Sequence, residues 1–522
     1  MAPTFCNRCG KAVDEGCDPE DELAELDALL ERLRLKRYDL KRKINRLHSP
    51  IVRQLPPDVT STIFEFCLPD FTDYKSSSSY AFFQEDLSFP LSLGAICSYW
   101  RDIAWSTPSL WSSLVVRVGS KQNPRIITGL AQEWFARSGQ LPLSIHILAF
   151  YNKTPSALRA LADIINRYST RWSDLDLCIP LDCFEHLHAI NNHAPTLKSI
   201  RFWGSADSES LNFQLICPRL ERASFQGLPL NGFNIQWDNL THLTLRSMST
   251  VDMTIEFFLI LRKTPRLVFC KVSDATILRC TRQIIGAPVL TSLRSLHLPS
   301  RYAEVVLNNI TAPHLEELSL PKYYYNRSLE VISSFLRRSA CSLRSFSVIF
   351  SISPPYFEGL MSLLQSMPSL ESLSLRLITT TLTWEVTTPE DYDPQNILQL
   401  LAKVLSSQST SAQQRFLPNL RILEYTGELY LRPGNYNDLY SLPPTDNVVH
   451  GPLQLFKLDL HPATRIPKNT ISYLSSLAER GVAVNVMSGL EDILRSSIDY
   501  YSSRKDFLRR DWTDNFDSSL FS

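Results

Sequence analysis

The chain has 522 residues, enough for several domains and a sizeable core, and its 53 basic and 53 acidic side chains cancel. That balance removes a global electrostatic case for nucleic acid or an anionic membrane as partner. No apolar run reaches the ~18 residues of a membrane span, the opening MAPTFCNRCGKAVDEG lacks the apolar stretch of a secretory signal, and the cysteines are too scattered for a disulfide framework; the expected address is cytoplasmic or nuclear.

Residues 1–19 read as a flexible tail. Cys6, Cys9 and Cys17 supply three of the four thiols a tetrahedral zinc site needs, and no second C-x2-C follows, so no metal or other cofactor is assigned. Residues 20–48 carry a heptad pattern. With Leu23, Leu30, Arg37 and Ile44 at position a, Leu26, Leu33, Leu40 and Leu47 fall at position d. Acidic residues (Glu20, Asp21, Glu22, Glu25, Asp27) come early and basic ones (Lys36, Arg37, Lys41, Arg42, Lys43, Arg46) late, an order that suits the helix dipole. Two readings stand: a coiled coil, antiparallel so that unlike halves face, giving a dimer, or an amphipathic helix folded back on its own protein. Arg37 at position a weighs against the dimer.

Residues 49–111 read as a small helical domain. Pro56 and Pro57 open a helix whose apolar positions are Val59, Ile63, Phe64 and Cys67. A serine-rich insertion follows at about 70–89. Then Leu93, Ile96, Cys97, Trp100, Ile103 and Ala104, at three- and four-residue steps, predict one further amphipathic helix, broken by Pro108. LWSSLVVRV after it reads as a first strand.

Residues 112–490 read as a solenoid. From WSDLDL at Trp172 onward a strand unit recurs: PTLKSIRF, PRLERASF, DNLTHLTL, PRLVFCKV, TSLRSLHL, PHLEELSL, CSLRSFSV, PSLESLSL, PNLRILEY and LQLFKLDL. Its anchor leucines are Leu197, Leu220, Leu240, Leu267, Leu293, Leu315, Leu343, Leu370, Leu420 and Leu455, mostly 20 to 28 residues apart. That period with L-x-x-L-x-L is the mark of a leucine-rich repeat, an α/β solenoid with a curved parallel sheet and outer helices. The asparagine that commonly follows such strands is missing from most copies, so its bonding ladder must be replaced or absent. NTISYLSSLAERG reads as a closing helix capped by Asn469 or Thr470 and ended by Gly481, and 491–522 as a tail.

Catalytic signatures are missing: no glycine-rich phosphate loop, no H-E-x-x-H, no G-x-S-x-G. Cys183, His186, His188 and His193 are close in sequence, but on a helix their side chains diverge.

LPPDVTSTIFEFCLP followed by LGAICSYWRDIAWSTPSLW resembles the F-box-like proteins abundant in mushroom-forming (basidiomycete) fungi, in which a leucine-rich heptad helix, an F-box and leucine-rich repeats succeed one another. The resemblance covers nearly the whole chain. It implies a substrate receptor, with no catalysis of its own, that bridges a Skp-type adaptor of a cullin-RING ubiquitin ligase to a protein substrate held by the repeats. It places adaptor contacts at Leu55, Pro56, Pro57, Ile63 and Phe64, and at Leu93, Cys97, Trp100 and Trp105, with Trp111 as a plug between this domain and the first repeat. The long insertion departs from the compact form. The alternative is a scaffold that uses repeats and heptad helix without a ligase.

In an L-x-x-L-x-L strand alternate residues point away from the leucine core. Arg201, Trp203, Arg246, Lys271, His297, Glu317, Arg376, Glu424 and Lys457 are therefore expected on the exposed strand face, as the substrate-binding surface. Tyr323, Tyr324, Tyr325, Trp384, Tyr430 and Tyr436 are expected on loops beside it.

Overall fold

A computed structural model describes residues 19–48, 54–68, 89–119, 123–149, 155–204, 212–247, 251–273, 286–320, 328–350, 354–377, 416–427, 453–460, 468–479, 481–489 and 491–502. Cys6, Cys9, Cys17, the 70–89 insertion up to residue 88, and the loop aromatics Tyr323, Tyr324, Tyr325, Trp384, Tyr430 and Tyr436 lie outside them. The fold is α/β, with long parallel sheet and helices. It divides into two compact units, Met1–Leu177 and Cys178–Ser522, so the division falls inside the expected solenoid rather than at its start.

The first unit begins with helix α1 (Pro19–His48), thirty residues of the heptad pattern in one unbroken run. After it come α2 (Pro57–Phe66), α3 (Phe89–Ile96) and α4 (Ser98–Ser106). The single helix expected over Leu93–Ala104 is thus two. Cys97 is extended, with φ −157° and ψ 167°, and its sulfur accepts a hydrogen bond from the Trp100 backbone N–H at 3.4 Å. A residue that caps the second helix cannot also continue the first. On α2 the inward residues are Thr60 and Phe64, while Val59, Ile63 and Cys67 are exposed. The expected apolar face was therefore too wide.

A 3-10 turn, Pro108–Trp111, leads into β1 (Ser113–Arg117), α5 (Pro124–Arg137), β2 (Leu143–Leu148), α6 (Pro155–Asn166) and β3 (Trp172–Cys178). β1 pairs in parallel with β2, Ser113 opposite Ser144, and β3 lies next to β2. The units of β1 and β2 precede the first recurring unit, whose strand is β3. They lack L-x-x-L-x-L, but LSIHIL alternates, with Leu143, Ile145 and Ile147 buried.

In the second unit every remaining repeat strand forms. The order is β4 (Ser199–Trp203), β6 (Arg222–Gln226), β8 (His242–Arg246), β9 (Phe269–Ser273), β10 (Ser295–His297), β11 (Glu317–Leu320), β12 (Ser345–Phe350), β13 (Ser372–Leu377), β14 (Ile422–Gly427), β15 (Leu455–Leu460) and β16 (Ala483–Ser488), all parallel. A separate parallel pair joins β5 (Phe213–Leu215) to β7 (Phe233–Ile235). Helices α7 (Val251–Lys263), α8 (Ser300–Asn308), α9 (Ser328–Ser339), α10 (Pro354–Gln365) and α11 (Lys468–Glu479) connect strands. α11 starts at Lys468, one residue before the expected cap at Asn469; Gly481 just past it has φ +90°, a left-handed backbone that suits glycine. The expected tail is ordered at its start: β17 (Glu491–Asp492) pairs antiparallel with β16, and 493–502 is helical with Ile493 and Ser497 buried.

Register corrects one anchor. Leu455 lies opposite Ile422, two residues after Leu420, so Leu453 occupies the anchor position of that unit. The nine other anchor leucines are buried. Side chains bond between units at three strand entrances. There the residue just before the anchor leucine donates a side-chain hydrogen to the proline carbonyl of the preceding unit: Asn239 to Pro218 (2.7 Å), Ser292 to Pro265 (2.9 Å) and Asn419 to Pro368 (3.0 Å). One position along, Arg294 with Glu316, and Arg344 and Arg421 with Glu371, form an exposed charge ladder worth little individually.

Candidate binding faces

The tryptophans of the first unit form a chain. Phe64 on α2 meets Trp100 on α4 with ring centroids 4.9 Å apart. Trp105 meets Trp111 edge-on at 5.3 Å, and Trp111 meets Trp134 of α5 at 4.8 Å. Trp111 is wholly buried and donates Nε1–H to the Ala104 carbonyl at 2.7 Å, while the Arg137 guanidinium lies over both Trp105 (5.1 Å) and Trp111 (4.9 Å). Trp111 thus plugs the helical segment onto the first strand–helix unit. Gly94 makes this packing fit: a Cβ there would come within 2.0 Å of the Trp105 ring. Tyr99 donates to the Leu55 carbonyl (3.3 Å) and Arg101 to the Gly94 carbonyl (2.8 Å), tying the segment before α2 to α4 and α4 to α3.

The expected adaptor residues separate into three groups by exposure. Phe64 (2% exposed) and Leu93 (6%) are core. Cys97 is a half-buried cap, and Trp100 and Trp105 are half-buried with their rings against Phe64 and Trp111. Pro56, Pro57 and Ile63 are exposed, and Leu55 is half-buried. Beside them the structure adds two exposed apolar residues not among the adaptor contacts that the resemblance implies, Val59 and Phe66, the latter 86% exposed; Ile96 at the end of α3 is also exposed. Three outward apolar residues on a helix of ten are the signal that could have found this patch.

In the second unit all nine expected strand residues alternate with buried ones, so they share the face opposite the leucines. Pairing sets them in rows. Arg201, Lys271, His297, Glu424 and Lys457 lie in one row, interleaved with Ser224, Thr244, Ser319, Ser347 and Ser374. Trp203 and Arg246 lie one row toward the strand C-termini, Arg376 does so on β13, and Glu317 lies one row the other way. The sequence reading missed Arg222, His242 and Phe269, which occupy outward positions in Glu317's row. Strand alternation would have found them. With these added, β4, β6, β8, β9 and β10 carry Arg201, Arg222, Arg246 and Lys271 and no carboxylate; the first acid on the face is Glu317 on β11.

An aromatic strip crosses this basic end: His242 stacks on Phe269 (5.7 Å), and Phe269 meets His297 at 5.2 Å. Burial, with Arg222 adding to it, pushes the His242 pKa down against the opposing pull of Glu221. Burial also lowers the His297 pKa, Glu317 raises it and Lys271 lowers it. Both rings are therefore neutral near pH 7. Ser295 Oγ donates to Glu317 Oε2 (2.7 Å) and lies 3.0 Å from His297 Nε2, itself 3.6 Å from Glu317 Oε1. This has the residue types of a nucleophile relay but not its geometry. The carboxylate and the hydroxyl meet the same ring nitrogen, and the serine proton goes to the carboxylate, so the histidine is not positioned as base. The buried thiols are equally unsuited to nucleophilic work, since burial raises Cys217 to about 11 and Cys270 to about 12.

Among the described residues no group of three metal-ligating side chains converges; Cys183 is buried in a 3-10 turn and His188 Nδ1 lies 3.0 Å from the His186 carbonyl oxygen. No helix among them is long and apolar enough to cross a membrane. No protein-family model matches the chain, and no curated protein matches it.

Proposed function

We propose that the chain is an F-box-type substrate receptor: the helical segment Leu55–Trp111 docks a Skp-type adaptor of a cullin-RING ubiquitin ligase, and the strand face of the second unit holds a protein target. The observation that carries this reading is the exposed apolar patch Val59, Ile63 and Phe66, next to exposed Pro56 and Pro57, on a helix whose other side is locked by Phe64 against Trp100. Apolar side chains left outward beside a firm core mark a surface meant for a partner. The polar, aromatic-bearing strand face, with two histidines, Phe269 and four cations in its first five strands, has the composition of a recognition surface, and the reading asks for binding chemistry alone.

The test is co-purification of the full chain with the adaptor, wild type against Ile63→Asp with Phe66→Asp. Both positions are exposed, so the variant keeps its fold and is expected to lose at least about tenfold in adaptor affinity. Absence of adaptor binding by the folded wild type would leave the scaffold reading in its place.

A further inference from the structure

We infer that α1 is the dimerisation element of this protein and that it pairs antiparallel with α1 of a second copy. The helix is continuous from Pro19 to His48, and its apolar seam is exposed: Leu23, Leu26, Leu30, Leu33, Leu40 and Ile44 are each 51–60% exposed. Four heptads of bare leucine seam on a helix about 45 Å long, at ~1.5 Å per residue, are unstable in water without a partner helix.

Charge decides which partner and which direction. In a parallel pair position a meets a, which sets Arg37 against Arg37 in the seam. Position g then faces the following e, which sets Glu22 against Asp27 and Lys36 against Lys41. Every one of these contacts is between like charges. In an antiparallel pair position a faces d. Leu23 then meets Leu47, Leu26 meets Ile44, Leu30 meets Leu40, and Arg37 lies against Leu33 with its charged end free to reach water. Asp27 comes opposite Lys41, and Lys43 comes opposite the uncharged Leu29. More broadly, residues 20–31 are acidic without a single Lys or Arg, and 32–46 hold eight basic residues against Asp39 alone, so each end of the pair brings unlike charge together. The cost sits at the twofold axis, where Arg34 and Lys36 approach their own copies; Glu31, 3.5 Å from Arg34 on the same helix, offsets part of it. A helix whose two halves complement each other is complementary to itself when reversed, and a second copy of this chain is always present.

Analytical ultracentrifugation of the full chain at micromolar concentration should give twice the 59.6 kDa chain mass. Leu26→Asp with Leu33→Asp should weaken association about tenfold or more, while the far-ultraviolet spectrum holds. Asp27→Lys should weaken it too, and adding Lys41→Glu should restore it. For direction, oxidation should yield a covalent dimer from Leu26→Cys with Ile44→Cys well above the wild-type background, and not from Leu26→Cys alone. A monomeric wild type, or efficient cross-linking by Leu26→Cys alone, would overturn the proposal.

Discussion

The helix α1 and the strand ladder of the second unit are both written in leucine, and they meet opposite fates. In α1 the seam leucines stand half exposed, whereas Leu296, Leu318, Leu373 and Leu423, central residues of β10, β11, β13 and β14, are at most 1% exposed. The difference is not in hydrophobicity but in repetition. A repeat strand is covered because the next unit brings another strand and helix to the same place; a lone heptad helix has no next unit within its own chain. A periodic pattern specifies which face wants burial. Only a neighbour supplies it.

The sharpest way to break that comparison is truncation on both sides of it. Leu318→Ala opens a cavity between Leu296 and Phe346 and is expected to cost about 3–5 kcal/mol; Leu30→Ala on α1 should change unfolding of the protein by less than about 0.5 kcal/mol, in urea titrations kept at low protein concentration. Equal costs would mean that α1 is buried in its own protomer. Trp111→Ala is expected to cost a similar 3–5 kcal/mol or so, because it also removes one of two donors to the Ala104 carbonyl and leaves Trp105 and Trp134 facing a void; tryptophan fluorescence during urea unfolding of the first unit reads it. Gly94→Ala should cost less, about 1–3 kcal/mol, since the Trp105 ring must shift to admit one methyl, and the same titration ranks it below Trp111→Ala.

The smallest effect is on pH. His242 and His297 have folded pKa values below the ordinary 6.5, so the unfolded chain binds more protons than the folded one in the window beneath that value. Stability is then whole above about pH 6.5 and declines as pH falls through the lowered values. Thermal melts at pH 7.5 and 5.5 should show a drop that is smaller in His242→Phe with His297→Phe. Both rings are partly exposed and Glu317 pulls against burial at His297, so the shift should be a fraction of that caused by the core substitutions.

Much of the architecture was legible in the residues. The recurring unit, from WSDLDL to LQLFKLDL, located eleven strands, because a repeat that must stack on itself writes the same face many times over, and strand alternation then placed Arg201 through Lys457 on the outer side. The heptads marked α1. Where a unit lacked the repeat text, as at LSIHIL, alternation was present but too short to stand out from a single strand pattern. Tertiary structure decided the rest for identifiable reasons. Cys97 reads as one more apolar residue at helical spacing until its sulfur is seen accepting the Trp100 N–H, which ends one helix and starts the next. Phe64 and Ile63 are neighbours in one apolar helix, and only the position of Trp100 settles that Phe64 faces inward and Ile63 outward. Leu455 and Leu453 both fit an anchor by spacing, and strand register alone chooses Leu453. Local sequence thus determined the elements and their apolar sides; which of two adjacent apolar residues is buried was settled by what packs against them, because burial is a relation between segments distant in the chain.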